Sequence, residues 1–141
     1  MSATPADGSQ WWWLRGQGAN TIVNLDAEMY DFAQYAFESF RWMPLGAGEA
    51  PTAESASSFL TFIRSCDNQP AHIVGGARDG RATLVALLRY ALDGWTLEDA
   101  LGEGQRLNGD APLSPAQVTW LQDWAASHPP GSEQLGSCSG L

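Results

Sequence analysis

A short apolar stretch, a glycine-rich turn and a long apolar stretch follow one another between residues 71 and 92. Ala71–Val74 (AHIV) predicts a strand, and its short, mostly apolar character favours a central place in a sheet. The turn Gly75–Arg81 (GGARDGR) leads into Ala82–Leu92 (ATLVALLRYAL), which is apolar nearly all round and predicts a buried helix. A strand that passes through a tight turn into a buried helix is typical of α/β proteins.

The rest of the chain adds elements in an order that fits the same class. Further short strands are predicted at Thr21–Leu25 and at Phe40–Leu45, where Pro44 limits the second strand to an edge or an end of the sheet. The spacing of apolar residues predicts a helix over Asp26–Ser39. Later helices begin at residues that cap helix N-termini: Thr52, Thr96 and Ser114. We therefore predict an α/β fold with a small central sheet flanked by helices.

The length and composition indicate one folded domain with short flanking segments. The chain has 141 residues, of which 44% are apolar and only 16% are charged, which is the balance of a globular protein. Residues 1–10 are small and polar and predict a loose leader, and residues 127–141 predict a loose tail. The predicted domain covers residues 11–126.

The charge balance excludes several classes of partner. Seven arginines, no lysine and sixteen acidic residues give a net charge of −9 and a pI near 4.3, so we expect neither nucleic acid nor an acidic membrane as a partner. Neither a signal peptide nor a membrane-spanning stretch is predicted. Two cysteines, Cys66 and Cys138, form no disulfide framework and no zinc pattern. We expect a cytoplasmic protein that needs no metal and no other cofactor.

The turn between the predicted strand and helix is a candidate anion site. Backbone N–H groups at a helix start lack partners, and the helix dipole places about half a positive charge there. Arg78 and Arg81 lie in the same turn, although Asp79 offsets one of their charges, and a guanidinium fits phosphate oxygens in a bidentate manner. The alternative is an ordinary strand–helix connection whose arginines face water or pair with surface acids.

The region Gln69–Asn108 resembles the signature region of the cysteine-dependent protein tyrosine and dual-specificity phosphatases, and it is most similar to their small bacterial members. Those proteins have an apolar strand, His-Cys, five residues, Arg, Ser or Thr, and then a buried helix. The resemblance extends to segments at matching positions in the chain: Thr21–Leu25, Arg41–Leu45, Ala50–Ile63 and Leu113–Trp124. It covers about residues 14–126 and implies a phosphotyrosine-phosphatase-like fold.

The family's catalytic residues do not carry over with the fold. Gly75 stands at the position of the nucleophilic cysteine, and only Arg81 keeps its identity. The family mechanism needs a thiolate that attacks phosphorus and an acid that protonates the leaving oxygen. Glycine has no nucleophilic atom, so that mechanism cannot operate here. Glu49 is the candidate acid, and its alternative role is that of an isolated surface residue.

Two further positions have simple structural interpretations. Asp26 stands where the relatives often have Arg, and we expect it at the surface or as a cap. His72 lies within a predicted central strand, where a hydrogen-bonded structural histidine is favoured over a ligand. Neither residue is predicted to take part in a functional site.

The resemblance and the missing nucleophile together predict a pseudophosphatase, an inactive protein with the fold of a phosphatase. Its expected ligand is a phosphate-bearing or other anionic group, bound by seven consecutive residues: Gly75, Gly76, Ala77, Arg78, Asp79, Gly80 and Arg81. One alternative is a phosphatase-like hydrolase with altered, non-cysteine chemistry. The other is a protein-interaction domain that uses a surface formed by Trp11–Trp13, because large exposed apolar patches mark interfaces.

Overall fold

The computed structural model describes residues 1–133, with the exception of the side chain of Ala33. The described part contains three strands: β1 (Thr21–Asn24), β2 (Ser39–Trp42) and β3 (Ala71–Val74). It contains five α-helices: α1 (Gly8–Gly16), α2 (Ala53–Arg64), α3 (Arg78–Ala91), α4 (Leu97–Leu107) and α5 (Pro115–Ser127). Short 3-10 turns cover Phe32–Tyr35 and Cys66–Asn68. The predicted α/β class is confirmed.

The three described strands form one parallel sheet in the order β2-β1-β3. All four residues of β1 are buried, whereas only the second half of β3 is. The central strand is therefore β1, and the prediction that Ala71–Val74 is central was wrong. Short apolar strands occur at both positions, so apolar character alone did not distinguish them. Since the strands are parallel, their carboxyl ends meet at one edge of the sheet.

Alternate residues of the strands pack into two separate apolar clusters, as the two-residue period of a strand requires. Val23 and Ile73 belong to the larger cluster, which they share with apolar residues of α2, α3, α4 and α5. Ile22 and Val74 belong to the smaller cluster, on the other side of the sheet, together with Trp11 of α1. The sheet therefore lies between the four later helices and a small aromatic layer.

The three predicted helix caps are confirmed. The hydroxyl groups of Thr52 and Thr96 accept hydrogen bonds from backbone N–H groups three residues later, at 3.0 and 3.1 Å. At Ser114 the cap is reciprocal, because Gln117 also accepts a hydrogen bond from the Ser114 N–H. The apolar face of α2 is buried: Ala56, Phe59, Leu60 and Ile63.

The predicted helix over Asp26–Ser39 is absent, and only Phe32–Tyr35 is helical, as a 3-10 turn. Ala36 has a φ of 64°, a left-handed conformation that interrupts a helix. The aromatic side chains of this segment pack on Trp11 instead, with ring centroids 5.1 Å apart for Phe32 and 6.1 Å for Phe37. Their spacing therefore serves an aromatic cluster rather than a helix face.

Residues 1–10, which were predicted to be a loose leader, make contacts with the fold. Ser2 forms a parallel bridge with Val74, and its N–H donates to the carbonyl of Ile73 at 3.0 Å. The unpredicted helix α1 begins at Gly8, where the carboxylate of Asp7 accepts from the Gln10 N–H at 3.1 Å. That cap was the sequence signal for this helix.

The described part of the predicted tail is held against the fold, because the N–H groups of Gly131 and Glu133 donate to carbonyls of Tyr90 and Ala91. The rest of that tail, residues 134–141 with Cys138, lies outside the described residues. Within residues 1–133 no helix is both long and apolar enough to span a bilayer. The cytoplasmic location stays a prediction.

Candidate functional site

The signature segment, Gly75–Arg81, leaves β3 at the carboxyl edge of the sheet. It is less of a turn than the sequence predicted, because α3 begins at Arg78 rather than at Ala82. Only residues 75–77 are non-helical, and the remaining four residues form the first turn of α3. The helix therefore takes up more than half of the expected phosphate-binding turn.

Gly75, at the nucleophile position of the phosphatase pattern, is buried and tightly enclosed. A Cβ added there would lie 2.9 Å from the Cβ of Leu25, closer than real side chains approach. Its N–H donates to the carbonyl of Ser2 at 3.3 Å. The side chain of Leu25 thus occupies the space that a cysteine side chain would need.

Arg81 is directed into the protein and is only 6% exposed. Its Nη1 donates to the carbonyl of Gly75, so it links the two ends of the signature segment. Its Nε is buried and has no hydrogen-bond partner among residues 1–133. Burial, and then the charge of Arg78, lower the pKa of Arg81, while Asp26 opposes that shift. Arg81 therefore stabilises the signature segment from inside the protein and does not face the surface.

Asp26 is a site residue that the sequence did not reveal. Its Oδ1 accepts from the Gly76 N–H at 2.8 Å, and its Oδ2 accepts from the Tyr30 hydroxyl at 3.2 Å and from the Thr4 hydroxyl. Partial burial acts to raise the pKa of Asp26, but the hydrogen bonds and the charge of Arg81 outweigh it and lower that pKa. Asp26, which was expected at the surface or as a cap, is therefore an ionised carboxylate that binds the signature segment.

Arg78 and Asp79 point to different neighbours. The guanidinium of Arg78 lies against Gly109, where an added Cβ would be 2.6 Å from Nη1. The Oδ2 of Asp79 accepts from the Gly48 N–H at 2.8 Å, and its Oδ1 is buried with no partner within residues 1–133. Asp79 thereby ties the start of α3 to the loop that carries Glu49.

The N-terminus of α3 keeps unpaired donors. Its cap residue, Ala77, has no side chain that can accept a hydrogen bond. No acceptor within residues 1–133 meets the backbone N–H groups of Arg78, Asp79 and Gly80. Such groups, with the helix dipole, favour a negative charge at this end.

A cavity of about 510 Å³ opens beside the signature segment and is called here the first cavity. Gly76 and Ala77 line it, together with Asp26 and Glu49, and neither Arg78 nor Arg81 does. The carboxylate of Glu49 accepts from the Gly46 N–H at 3.0 Å, so it turns back on its own loop. Among the lining residues there is no thiol and no hydroxyl, so two carboxylates are the acid–base groups of this cavity.

The remaining sequence candidates lie elsewhere. Cys66 precedes β3 in the Cys66–Asn68 turn and does not line the first cavity. The predicted Trp11–Trp13 surface is divided, because Trp11 is in the core whereas Trp12 and Trp13 are 52% and 65% exposed. No group of side chains within residues 1–133 is arranged to hold a metal ion.

Comparisons with known proteins place the fold. No protein-family model and no curated protein matches the sequence. Among solved structures, the core catalytic domain of the PP-IP phosphatase SIW14 from S. cerevisiae, in complex with citrate, aligns with a TM-score of 0.70 and 14% identity. That alignment covers 86% of this chain and 77% of the yeast domain.

Two further phosphatase structures align over similar lengths. Tk-PTP in its active form has a TM-score of 0.66, with 20% identity over 89% of each chain. TpbA of P. aeruginosa in complex with pTyr has a TM-score of 0.53, with 18% identity over 89% of this chain and 83% of that one. The chain therefore has the fold of the tyrosine and dual-specificity phosphatases, as its sequence predicted.

Proposed function

We propose that the protein is a catalytically inactive phosphatase-fold protein whose signature segment binds an anionic group. The proposal that the protein is inactive rests on Gly75, which has no nucleophilic atom and no room for one beside Leu25. A thiolate is the species that attacks phosphorus in the family that the sequence resembles. Nothing at that position in this chain can form the covalent intermediate.

The same segment keeps features that favour a bound anion. The N–H groups of Arg78, Asp79 and Gly80 have no acceptor within residues 1–133. The N–H of Gly76 already binds a carboxylate, that of Asp26. The anion in this arrangement is thus supplied by the chain, and an external phosphate would compete with Asp26 for the Gly76 N–H.

The catalytic half is tested by hydrolysis of p-nitrophenyl phosphate. We expect the protein to release no nitrophenol above the buffer rate. We also expect no recovery in Gly75→Cys, because the added side chain meets Leu25. Turnover that survives a thiol-blocking reagent would contradict the proposal and support the alternative of a non-cysteine hydrolase. In that case Glu49→Gln would be the next variant to assay.

The binding half is tested by calorimetric titration of inorganic phosphate and phosphotyrosine at low salt. We expect weak binding to the parent chain and binding about tenfold tighter, or about 1.4 kcal/mol, to Asp26→Ala. Asp31→Ala is the matched control, since it removes the same charge from an exposed residue of the same segment. An equal gain in affinity in both variants would mean that the loss of one negative charge, and not the release of the Gly76 N–H, explains the tighter binding. No binding to any of the three proteins would contradict the anion site.

A further inference from the structure

A second cavity, of about 320 Å³, lies between the N-terminal segment of residues 2–5, helix α1 and strand β3. Trp13 and Leu14 of α1, Pro5 and His72 are among the residues that line it. It shares no lining residue with the first cavity and is independent of the proposed function. Pockets of this size, apolar with a few polar groups, are typical of small-molecule sites.

The second cavity differs from the rest of the molecule in charge. The chain carries a net charge of −9, and the first cavity is lined by Asp26 and Glu49, yet no residue that lines the second cavity carries an ionised side chain at neutral pH. His72 is its only titratable side chain. Burial, with the nearby charges of the Met1 amine and Arg81, lowers the pKa of His72 to about 4. A charged ligand would find no ionised side chain in the lining to pair with, so an uncharged ligand avoids the cost of an unpaired buried charge.

The hydrogen bonds around His72 determine which of its nitrogens is free. The hydroxyl of Ser2 donates its one proton to the carbonyl of Ala3, at 2.9 Å. With that proton on the Ala3 carbonyl, the hydroxyl accepts from Nε2 of His72, also at 2.9 Å, and we assign the proton of the neutral ring to Nε2. Nδ1 is then an acceptor, and it has no partner within residues 1–133. A ligand that supplies an N–H or O–H donor would satisfy it.

Trp13 supplies an aromatic wall that the fold does not use. It is 65% exposed, and no aromatic ring within residues 1–133 packs against it. Its neighbour Trp12 packs edge-on against Tyr35, with ring centroids 5.9 Å apart, and does not line the cavity. An exposed indole beside a cavity offers a large apolar face to a planar ligand.

We propose that the second cavity binds a small, uncharged aromatic molecule that carries one N–H or O–H donor. The ring of the ligand packs against Trp13, and its donor reaches Nδ1 of His72. Indole and benzofuran are suitable probes because they have nearly the same shape, and only indole carries a donor.

The test is a titration of the full chain with each probe, followed by ¹H–¹⁵N NMR. Indole should produce saturable shifts in the Trp13 side-chain signal and in the amides of Ala3 and Thr4, and it should bind about tenfold more tightly than benzofuran. Equal affinity of the two probes would overturn the assignment of His72. The absence of a saturable shift up to the solubility limit of indole would overturn the site.

Two matched pairs of proteins sharpen the test. Trp13→Ala should weaken indole binding about tenfold, whereas Trp12→Ala, a change in an exposed indole outside the cavity, should leave it unchanged. Equal losses in both variants would mean adsorption to exposed indoles and would contradict the proposal. His72→Phe should abolish the preference for indole over benzofuran. If His72→Phe does not fold, the comparison of the two probes on the parent chain still decides the role of the donor.

Discussion

The two cavities lie along the same strand, with His72 within β3 and Gly76 just beyond its end. They differ in whether the polar groups that line them have hydrogen-bond partners within the chain. In the first cavity, the acidic groups are held by the chain, since Asp26 meets three donors and Glu49 meets one. In the second cavity, an acceptor and an exposed indole are left without partners within residues 1–133. The carboxylates of the first cavity are therefore fixed by internal contacts, whereas the second cavity offers an unpaired acceptor and an unpaired ring to a ligand.

The largest effect that we predict from this comparison is a loss of stability beside the first cavity. Gly75→Cys should lower the free energy of unfolding by about 1–3 kcal/mol, because overpacked side chains force the surrounding structure to shift. The contact responsible is with the Cβ of Leu25. Urea denaturation followed by tryptophan fluorescence measures the change.

Gly76→Cys is the control for that substitution. A Cβ on Gly76 meets nothing closer than Asp26 Oδ1, at 3.7 Å, which is ordinary contact, and the residue is exposed. We expect it to cost far less than Gly75→Cys. Equal stability of the two variants would mean that the backbone at Gly75 yields easily and that the nucleophile position is not closed.

The next effect concerns the carboxylate of Asp26. Asp26→Ala should cost about 1 kcal/mol, because the donors of Gly76, Tyr30 and Thr4 lose their acceptor but reach water in the partly exposed site. Since the folded-state pKa of Asp26 is lowered, its contribution is present above the unfolded-state pKa and is lost as the pH falls through the folded-state pKa. Denaturation of both proteins from pH 7 to 2 should show the difference shrinking at the acid end.

His72 sharpens the contrast at the second cavity through pH. Its pKa is lowered from 6.5 to about 4, so between those values the unfolded chain binds a proton that the folded chain does not. Stability from this residue is complete above pH 6.5 and falls as the pH drops toward 4. His72→Phe should flatten that slope in thermal denaturation. A variant that keeps the parent slope would contradict the neutral state assigned to the ring.

The smallest expected change in stability is that caused by replacing the exposed Trp13. Trp13→Ala should change the free energy of unfolding by no more than about 0.5 kcal/mol, as is usual for exposed residues. Chemical denaturation measured alongside Trp11→Ala provides the scale, because Trp11 is buried in the aromatic cluster. A large loss in Trp13→Ala would mean that Trp13 supports the fold and would remove the contrast between the two cavities.

Sequence patterns predicted the helical second half of the chain best. The caps at Thr52, Thr96 and Ser114 were local features, and local features fix helix starts. The region from residue 26 to 39 was predicted wrongly because its aromatic residues recur at helical spacing. Their packing partner, Trp11, lies far away in the sequence, and no local pattern reveals such a contact.

The candidate site was predicted only in part. Counting along the signature segment singled out Gly75 and Arg81, and both are buried at the carboxyl edge of the sheet. The role of Asp26 could not be predicted, because Gly76 stands fifty positions later and the two meet only when β1 and β3 pair. The direction of Arg81 was equally hidden, since a sequence does not say whether a guanidinium faces a cavity or the core.

The bridge between Ser2 and Val74 has a consequence for the order in which the chain assembles. It joins residues roughly 70 positions apart, so closing it early would carry a large entropic cost for few contacts. The β1–β3 pair must exist first, because Val74 has to be in place to receive Ser2. We therefore expect the first residues to dock late and to detach first in local opening. Hydrogen exchange at the Gly75 amide, which donates to Ser2, reports that detachment separately from global unfolding.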